Sequence, residues 1–546
     1  MNKHRFLIVS VACLLSSTSL SAQDMYADRR AAWMEIAEAT KPELHETIVH
    51  PVSIVEPVAD KSAYQGWRYE RKEGLDALYS SNFKEVKNVT VDFGRHLTGY
   101  FTFSTKTLNR CQDAPIRIKF TFGEVPAELN TPLDPWHGGL SRAWMQDEII
   151  TVMQVDEPIT IPRRLSFRYL KIELMGASPD FDFAIDDLQF RAVSSGGEVK
   201  TELSAASPQD IRTIYDVGVE TLRECMQTVY EDGPKRDHRL WVGDLYLESL
   251  ANRYSFRNFQ LTKRCLYLFA GLAADDGIVI SNCFEQPEPH PQYGSYCLTY
   301  CLLFNSTLLE YLKDTQDEET ANDLWRVARR QMEDALTYVG DDGIFDQKKR
   351  SYVWLFFDWR NGLDVNTPMQ AATIFALHQT YELAKMLGKE KEVAEWPKIA
   401  SKMRKAAREK LLDKKRGIFL SGPDKQVSCM SQMWMIMADV LTEKEGQHAL
   451  RTVLASDETV MPGTPYATHY LVEAMIHCGM KKEARDYMKM YWGGMVKKGA
   501  DTFWEAYDPK DDFISPYGFS PVNSYCHAWS CTPVYFIQKY PEIFQK

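Results

Sequence analysis

No part of this sequence reaches the roughly 18 consecutive apolar residues that a membrane-spanning helix needs. A basic excess is also missing. The chain carries 75 acidic and 64 basic side chains, a formal charge of −11, and nucleic-acid binders usually present a basic face. Low-complexity tracts and charged tails are absent, which excludes wholesale disorder. Neither a CxxC pair nor a His-flanked zinc spacing occurs, so the sequence predicts no metal site and no cofactor.

What the sequence does hold is an ordinary globular composition over 546 residues, 45% hydrophobic and 25% charged, enough for two or three domains. Its aromatic content is high, with 13 Trp and 27 Tyr. Such side chains serve as stacking surfaces for sugars as well as core. The first residues, Met1-Asn2-Lys3-His4-Arg5, form a short basic region before the apolar run Phe6 to Leu15. Ser19, Ser21 and Ala22 then precede Gln23 in the manner of a signal-peptidase site. A leader over 1–22 predicts export to the periplasm or the extracellular space. The ten cysteines beyond it fall mostly on apolar helical faces and read as small buried hydrophobes.

Residues 23–49 read as a lead-in helix or segment. From 50 to 196 the pattern is that of short antiparallel strands. Asn88 to Phe93, Gly99 to Phe103 and Ile116 to Phe120 alternate with period two, broken by Gly, Pro and Asp, which predicts a β-sandwich. At Ser207 the period changes to 3.6, with Ser207 as N-cap and Pro208 as first helical residue. About a dozen helical stretches follow with no strand series between them. Twelve helices over 200–546 close as six hairpins, an all-α (α/α)6 barrel with a funnel walled by loops.

Three of those loops crowd charged and aromatic residues together. The first runs from Glu231 to Asp244 and holds Asp232, Arg236, Asp237, His238, Trp241 and Asp244. The second, Gly499 to Asp508, sets Glu505 beside Trp504 in an apolar stretch, where a carboxylate is costly unless paired or used. The third, Pro521 to Trp529, offers Asn523, Tyr525, His527 and Trp529. Weaker candidates are Asp358 and Trp359, and the loop from His290 to Tyr296.

With these motifs the chain resembles the α-L-rhamnosidases of glycoside hydrolase family 78, inverting exo-enzymes with an (α/α)6 catalytic barrel. The family's first motif is an Asp, then Cys-Pro, an Arg followed by the acid Glu, then Trp and Gly-Asp. Asp232, Pro234, Arg236, Trp241, Gly243 and Asp244 fall in register with it. The later motif, Trp-Glu-x-Trp with Asn-Ser-x-x-His about twenty residues on, is similar to Trp504-Glu505-Ala506-Tyr507 and Asn523 to His527. The chain departs from the pattern at the acid. In a gap-free alignment the family's Glu falls on Asp237, and with one residue deleted it falls on His238. The gap-free register also keeps Trp241 and Asp244 in place. A β-sandwich after the barrel, usual in the family, has no counterpart here.

The resemblance implies a carbohydrate substrate with a terminal α-L-rhamnose or similar deoxy sugar. Asp237 would act as general acid and Glu505 as general base. Asp232, Arg236, His238, Trp241, Asp244, Asp358, Trp359, Trp504 and His527 would bind the sugar. Two other readings remain open: a six-hairpin enzyme of the unsaturated glucuronyl hydrolase type, and a non-catalytic carbohydrate-binding protein on the same fold.

Overall fold

The computed structural model describes residues 24–350 and 353–546. The expected leader, 1–22, lies outside the described residues. An opening helix, Arg30–Ala39, lies against the barrel helix Phe259–Gly271 through buried Trp33 and Ala37. Trp33 Nε1–H donates to Asp323 at 3.0 Å.

The N-terminal domain is an antiparallel sheet of nine strands: β1 (His45–Val49), β2 (Ser53–Ala59), β3 (Trp67–Lys72), β4 (Asn88–Asn109), β5 (Ile116–Gly123), β6 (Asp147–Val152), β7 (Ile159–Thr160), β8 (Leu165–Gly176) and β9 (Asp182–Ser194). The main order is β1-β9-β4-β8-β5-β6. Strand β2 joins β4 and carries β3, and β7 also pairs with β4. The sheet therefore starts at His45, inside the segment read as a lead-in, because residues 45–49 pair in register with Phe190 to Ser194. Strand β4 organises the domain. Its first half pairs with β8 and its second with β9, and the register breaks between Asp92 and Leu97, the irregularity that lets a long strand bend. Alternate residues bury Phe93, Phe101, Phe103, Phe120, Phe122, Phe167 and Phe190 in one aromatic core.

The C-terminal domain is a barrel of helices in six hairpins. An inner ring is formed by Val242–Arg253, Leu298–Thr315, Asn366–Met386, Cys429–Met437, Pro465–His477 and Pro533–Lys539. These are buried on nearly every side. Leu298–Thr315 has fourteen buried residues of eighteen, as expected of a helix apolar all round. The outer ring, Gln209–Cys225, Phe259–Gly271, Glu318–Leu336, Trp396–Lys410, Glu443–Leu454 and Lys481–Lys497, is more amphipathic and turns its polar stripe to solvent. The first of these starts at Gln209, with Pro208 rather than Ser207 as its cap. Among the described residues, no helix is long and apolar enough to cross a membrane. All ten described cysteines are free thiols, nine of them buried.

Candidate active site

Loops at the entry ends of the inner helices enclose a hollow of about 220 Å³. That is smaller than the roughly 300–1,000 Å³ of sites for drug-sized ligands, and suits one small ring. Its apolar wall comes from Trp241, Tyr300, Trp354, Phe356, Trp359 and Trp529. Trp241 meets Tyr300 and Trp354 edge-on, at centroid distances of 6.1 and 6.2 Å. Phe356 stacks on Trp529 at 6.0 Å.

The first acidic loop is closed on itself. Asp232 N–H donates to the Arg239 carbonyl at 3.0 Å, and Arg239 N–H donates back to Asp232 Oδ1 at 3.1 Å. Inside that closure Asp237 and His238 both take left-handed backbone, with φ of 65° and 52°. Asp tolerates this region better than most side chains because its short polar group bonds locally. The double turn sends Asp237 into the hollow and His238 away from it.

Arg236 lies between the two candidate carboxylates. Its Nη2 donates to Glu505 Oε2, its Nη1 stands 3.7 Å from Asp237 Oδ2, and its Nε donates to the Val522 carbonyl at 2.6 Å. The guanidinium also lies 4.5 Å over the Tyr517 ring. The two carboxylates therefore share one planar guanidinium, each against a different nitrogen. Glu505 further accepts from Tyr517 Oη at 2.6 Å and from Ser524 N–H at 3.1 Å. Burial alone would raise the Glu505 carboxyl. Arg236, then His527, Tyr517 and Ser524, outweigh it and hold the group below its ordinary value.

The neighbouring acids behave in the opposite way. Burial, then the charges of Asp237 and Asp244, pushes Asp232 well above the carboxylate range. Burial, then Glu505, does the same to Asp244. His527 is pulled down to about 4 by burial, so its ring is neutral near neutrality and offers one donor and one acceptor. Neither ring nitrogen has a hydrogen-bond partner among the described residues, and Nε2 stands 3.5 Å from the unpartnered Asp244 Oδ1. Polar atoms left this way in a buried wall call for a partner such as an ordered water or a ligand group.

Of the residues expected at the site, Asp237, Glu505, Asp232, Arg236, Trp241, Asp244, Trp359 and His527 line the hollow. Arg236 faces it with Nε bonded to the Val522 carbonyl and Nη2 to Glu505, so it fixes the Glu505 carboxylate in place. Three expectations need correction. Trp504 is buried and stacks on Tyr64 of the sheet domain at 4.0 Å. His238 bonds through Nε2 to the Pro234 carbonyl at 2.6 Å and packs edge-on to Trp144. Asp358 accepts from Gly463 N–H and Thr464 Oγ1, both at 2.7 Å, fixing the start of an inner helix. Burial raises its carboxyl to about 6. In the third loop, Asn523 is tied to Ser515 and Ile514, and Tyr525 faces Gln65 and Tyr64.

Sequence reasoning missed Leu140, Tyr300, Trp354, Phe356 and Tyr517, all in the wall, while Gln292 falls in the weaker candidate loop His290 to Tyr296 and Arg239 in the first loop. It also missed the support beneath the acid loop. Lys235 is buried between Glu124 (3.1 Å) and Glu128 (2.7 Å) of the sheet domain and donates to the Asn523 carbonyl. Glu124 in turn accepts from Tyr525 N–H at 2.7 Å and contacts His96 at 3.0 Å. Among the described residues, no cluster of three or more His, Cys, Asp or Glu could hold a metal.

Residues 51–192 match the glycosyl hydrolase family 78 alpha-rhamnosidase N-terminal domain. Residues 201–540 match the bacterial alpha-L-rhamnosidase six-hairpin glycosidase domain. The chain belongs to the family 78 α-L-rhamnosidases. It is a glycoside hydrolase. Among solved structures it is similar to a rhamnosidase from Klebsiella oxytoca with rhamnose bound, at 37% identity and a TM-score of 0.89, covering 94% of this chain and 99% of that one. Two others share the fold at lower identity. A family 78 rhamnosidase of Bacillus sp. GL1 is 20% identical with a TM-score of 0.69, covering 82% of this chain and 46% of that one. The alpha-L-rhamnosidase of Streptomyces avermitilis is 13% identical with a TM-score of 0.63, covering 91% and 44%. Comparison with curated proteins returns no match.

Proposed function

We propose that this hydrolase releases a terminal α-L-rhamnose, or a similar deoxy sugar, from a glycan by exo-acting, inverting hydrolysis. The observation that carries the reading is that Asp237 and Glu505 line one ring-sized hollow, each against a different nitrogen of Arg236. Asp237 donates its proton to the glycosidic oxygen as the anomeric C–O bond breaks. Glu505, ionised, takes a proton from a water that attacks the anomeric carbon on the opposite face. Inverting pairs stand roughly 6.5–9.5 Å apart, which leaves room for that water.

The other side chains divide the sugar between them. Asp244 and neutral His527 meet ring hydroxyls, and Asp232 adds a further acceptor. Trp241, Trp354 and Phe356 pack on the ring's apolar face and its C6 methyl. The Klebsiella relative, which spans nearly this whole chain and holds rhamnose, supports rhamnose as the glycone. A uronate-directed hydrolase needs a site rich in basic groups for a carboxylate, whereas this wall holds four carboxyl side chains, Asp232, Asp237, Asp244 and Glu505, against two arginines, Arg236 and Arg239.

The test is incubation with an aryl α-L-rhamnoside, following the first-formed sugar by NMR. β-Rhamnose appearing ahead of mutarotation is the expected result. The α anomer appearing first would overturn the inverting assignment, and no hydrolysis of any rhamnoside would favour a binding protein.

A further inference from the structure

Among the described residues, Leu140 is the sheet domain's sole contribution to the catalytic hollow. It sits in a segment, 131–141, that leaves the short helix Pro126–Asn130 and crosses to the barrel. The segment is fixed at several points. Gly139 N–H donates to the Tyr517 carbonyl at 3.0 Å, and Trp136 Nε1–H donates to the Leu140 carbonyl at 3.0 Å. The Trp136 and His137 rings pack on Phe519 at 5.7 and 4.2 Å. A Cβ at Gly138 would lie 2.7 Å from Val522 Cγ2, so the approach is close enough to require glycine.

The position of this segment relative to the acid gives it a function. Just beyond Leu140, Trp144 packs against His238, the neighbour of Asp237. The stretch from Gly139 to Trp144 therefore runs from Tyr517 to the outer side of the turn that bears Asp237. A general acid faces the leaving oxygen, so the wall on its side belongs to the leaving group. Polar groups line the same hollow: Arg239 donates to Gln292 at 3.1 Å, and Arg239 Nη2 lies 3.9 Å from Asp237.

We propose that Leu140 is a specificity-determining residue of the leaving-group subsite. Its apolar surface packs on one face of a second sugar ring, whose hydroxyls meet Arg239 and Gln292. Trp136 acts as a positioning residue by holding the Leu140 backbone. The proposal rests on Asp237 as the acid.

The experiment compares two substrates with a common glycone, a rhamnosyl-hexose disaccharide and 4-nitrophenyl α-L-rhamnoside, together with inhibition by free rhamnose. Leu140→Ala is expected to lower kcat/KM on the disaccharide by about tenfold, the scale of a lost apolar contact in a specificity pocket. The nitrophenyl glycoside should lose clearly less, so that selectivity between the two substrates shifts, and Leu140→Met should restore the disaccharide. A parallel fall on both substrates with weaker rhamnose inhibition would overturn the proposal by placing Leu140 against the glycone. Unchanged selectivity would overturn it as well. Asp237→Asn run alongside tests the underlying reading separately: full retained turnover there removes the acid, and the subsite assignment with it.

Discussion

Tyr517 donates its phenolic hydrogen to Glu505 Oε1 at 2.6 Å while its ring supports the Arg236 guanidinium that holds the other carboxylate oxygen. Tyr517 itself is pushed well above the ordinary phenol value, first by burial and then with Glu505 contributing, so it stays a donor through the working range. Tyr517→Phe removes one of the interactions that lower Glu505. The base then protonates at a higher pH, and the acid limb of the kcat/KM profile moves toward neutrality. A hydrogen bond to a charged group is worth about 1.5–3 kcal/mol, so activity below the optimum should fall at least about tenfold. A pH–rate profile of the variant checks this. An unmoved acid limb would mean that Glu505 is not the ionising base.

The backbone at Asp237 makes a prediction that the family pattern alone would not. With φ at 65°, the position favours Asp or Asn over longer side chains. Asp237→Asn should fold normally, bind rhamnose with parent-like affinity, and lose hydrolysis of natural glycosides by about 10²–10⁴-fold, the usual worth of a general acid. Asp237→Glu restores the family's usual residue and still should not give parent activity. The added methylene overreaches the hollow, and a longer side chain is strained in the left-handed turn. Calorimetric rhamnose binding and steady-state rates on both variants decide it. Parent-like rates for Asp237→Glu would show that the turn relaxes freely.

How much of this site was legible in the sequence depends on what each signal encodes. The outer helices announce themselves by a polar stripe every 3.6 residues, and the inner ones by having almost none, so the barrel follows from periodicity. The charged loop 231–244 and Glu505 stand out because burying such groups is costly without a task. Trp504 misleads for a physical reason. Adjacent residues in an extended loop face opposite ways, so the aromatic next to a site carboxylate turns to the sheet domain and stacks on Tyr64. His238 misleads similarly, since the left-handed turn that presents Asp237 sends the next side chain elsewhere. Leu140 and Tyr517 could not be read at all. Their place in the wall comes from docking two loops nearly 380 residues apart, which leaves no local pattern.

The buried Lys235 connects the sheet domain to the loop that carries Arg236 and Asp237. Burial would lower its ammonium, but Glu128 and Glu124 hold it above the ordinary lysine value. Burial would raise Glu124, yet Lys235 and His96 hold it below the ordinary carboxylate value. The stabilisation from Glu124 is therefore complete above the unfolded carboxylate value and is lost only as pH falls through the lower folded one. Lys235→Met leaves buried Glu128 without its cation and Glu124 with His96 alone, and breaking a buried pair costs about 3–5 kcal/mol. The variant should unfold at lower denaturant concentration. Adding Glu128→Gln should recover part of the loss by removing one stranded charge. If the double variant is no more stable than the single, the three groups do not act as one network.

Glu248 presents the reverse case. It lies one turn beyond Asp244 on the inner helix Val242–Arg253, fully buried, with neither carboxyl oxygen partnered among the described residues. Burial first, then Asp244, Asp232 and Glu231, raises its carboxyl well above the usual range. Between the unfolded value and that raised folded value, the unfolded chain gives up a proton that the folded chain keeps, so stability falls as pH rises through the window. Glu248→Gln cannot ionise and escapes this loss. Its stability relative to the parent should improve steadily from pH 5 to pH 8 in denaturant melts. A difference between the two proteins that is constant with pH would mean that Glu248 is already ionised in the folded state, held by a partner such as a buried water.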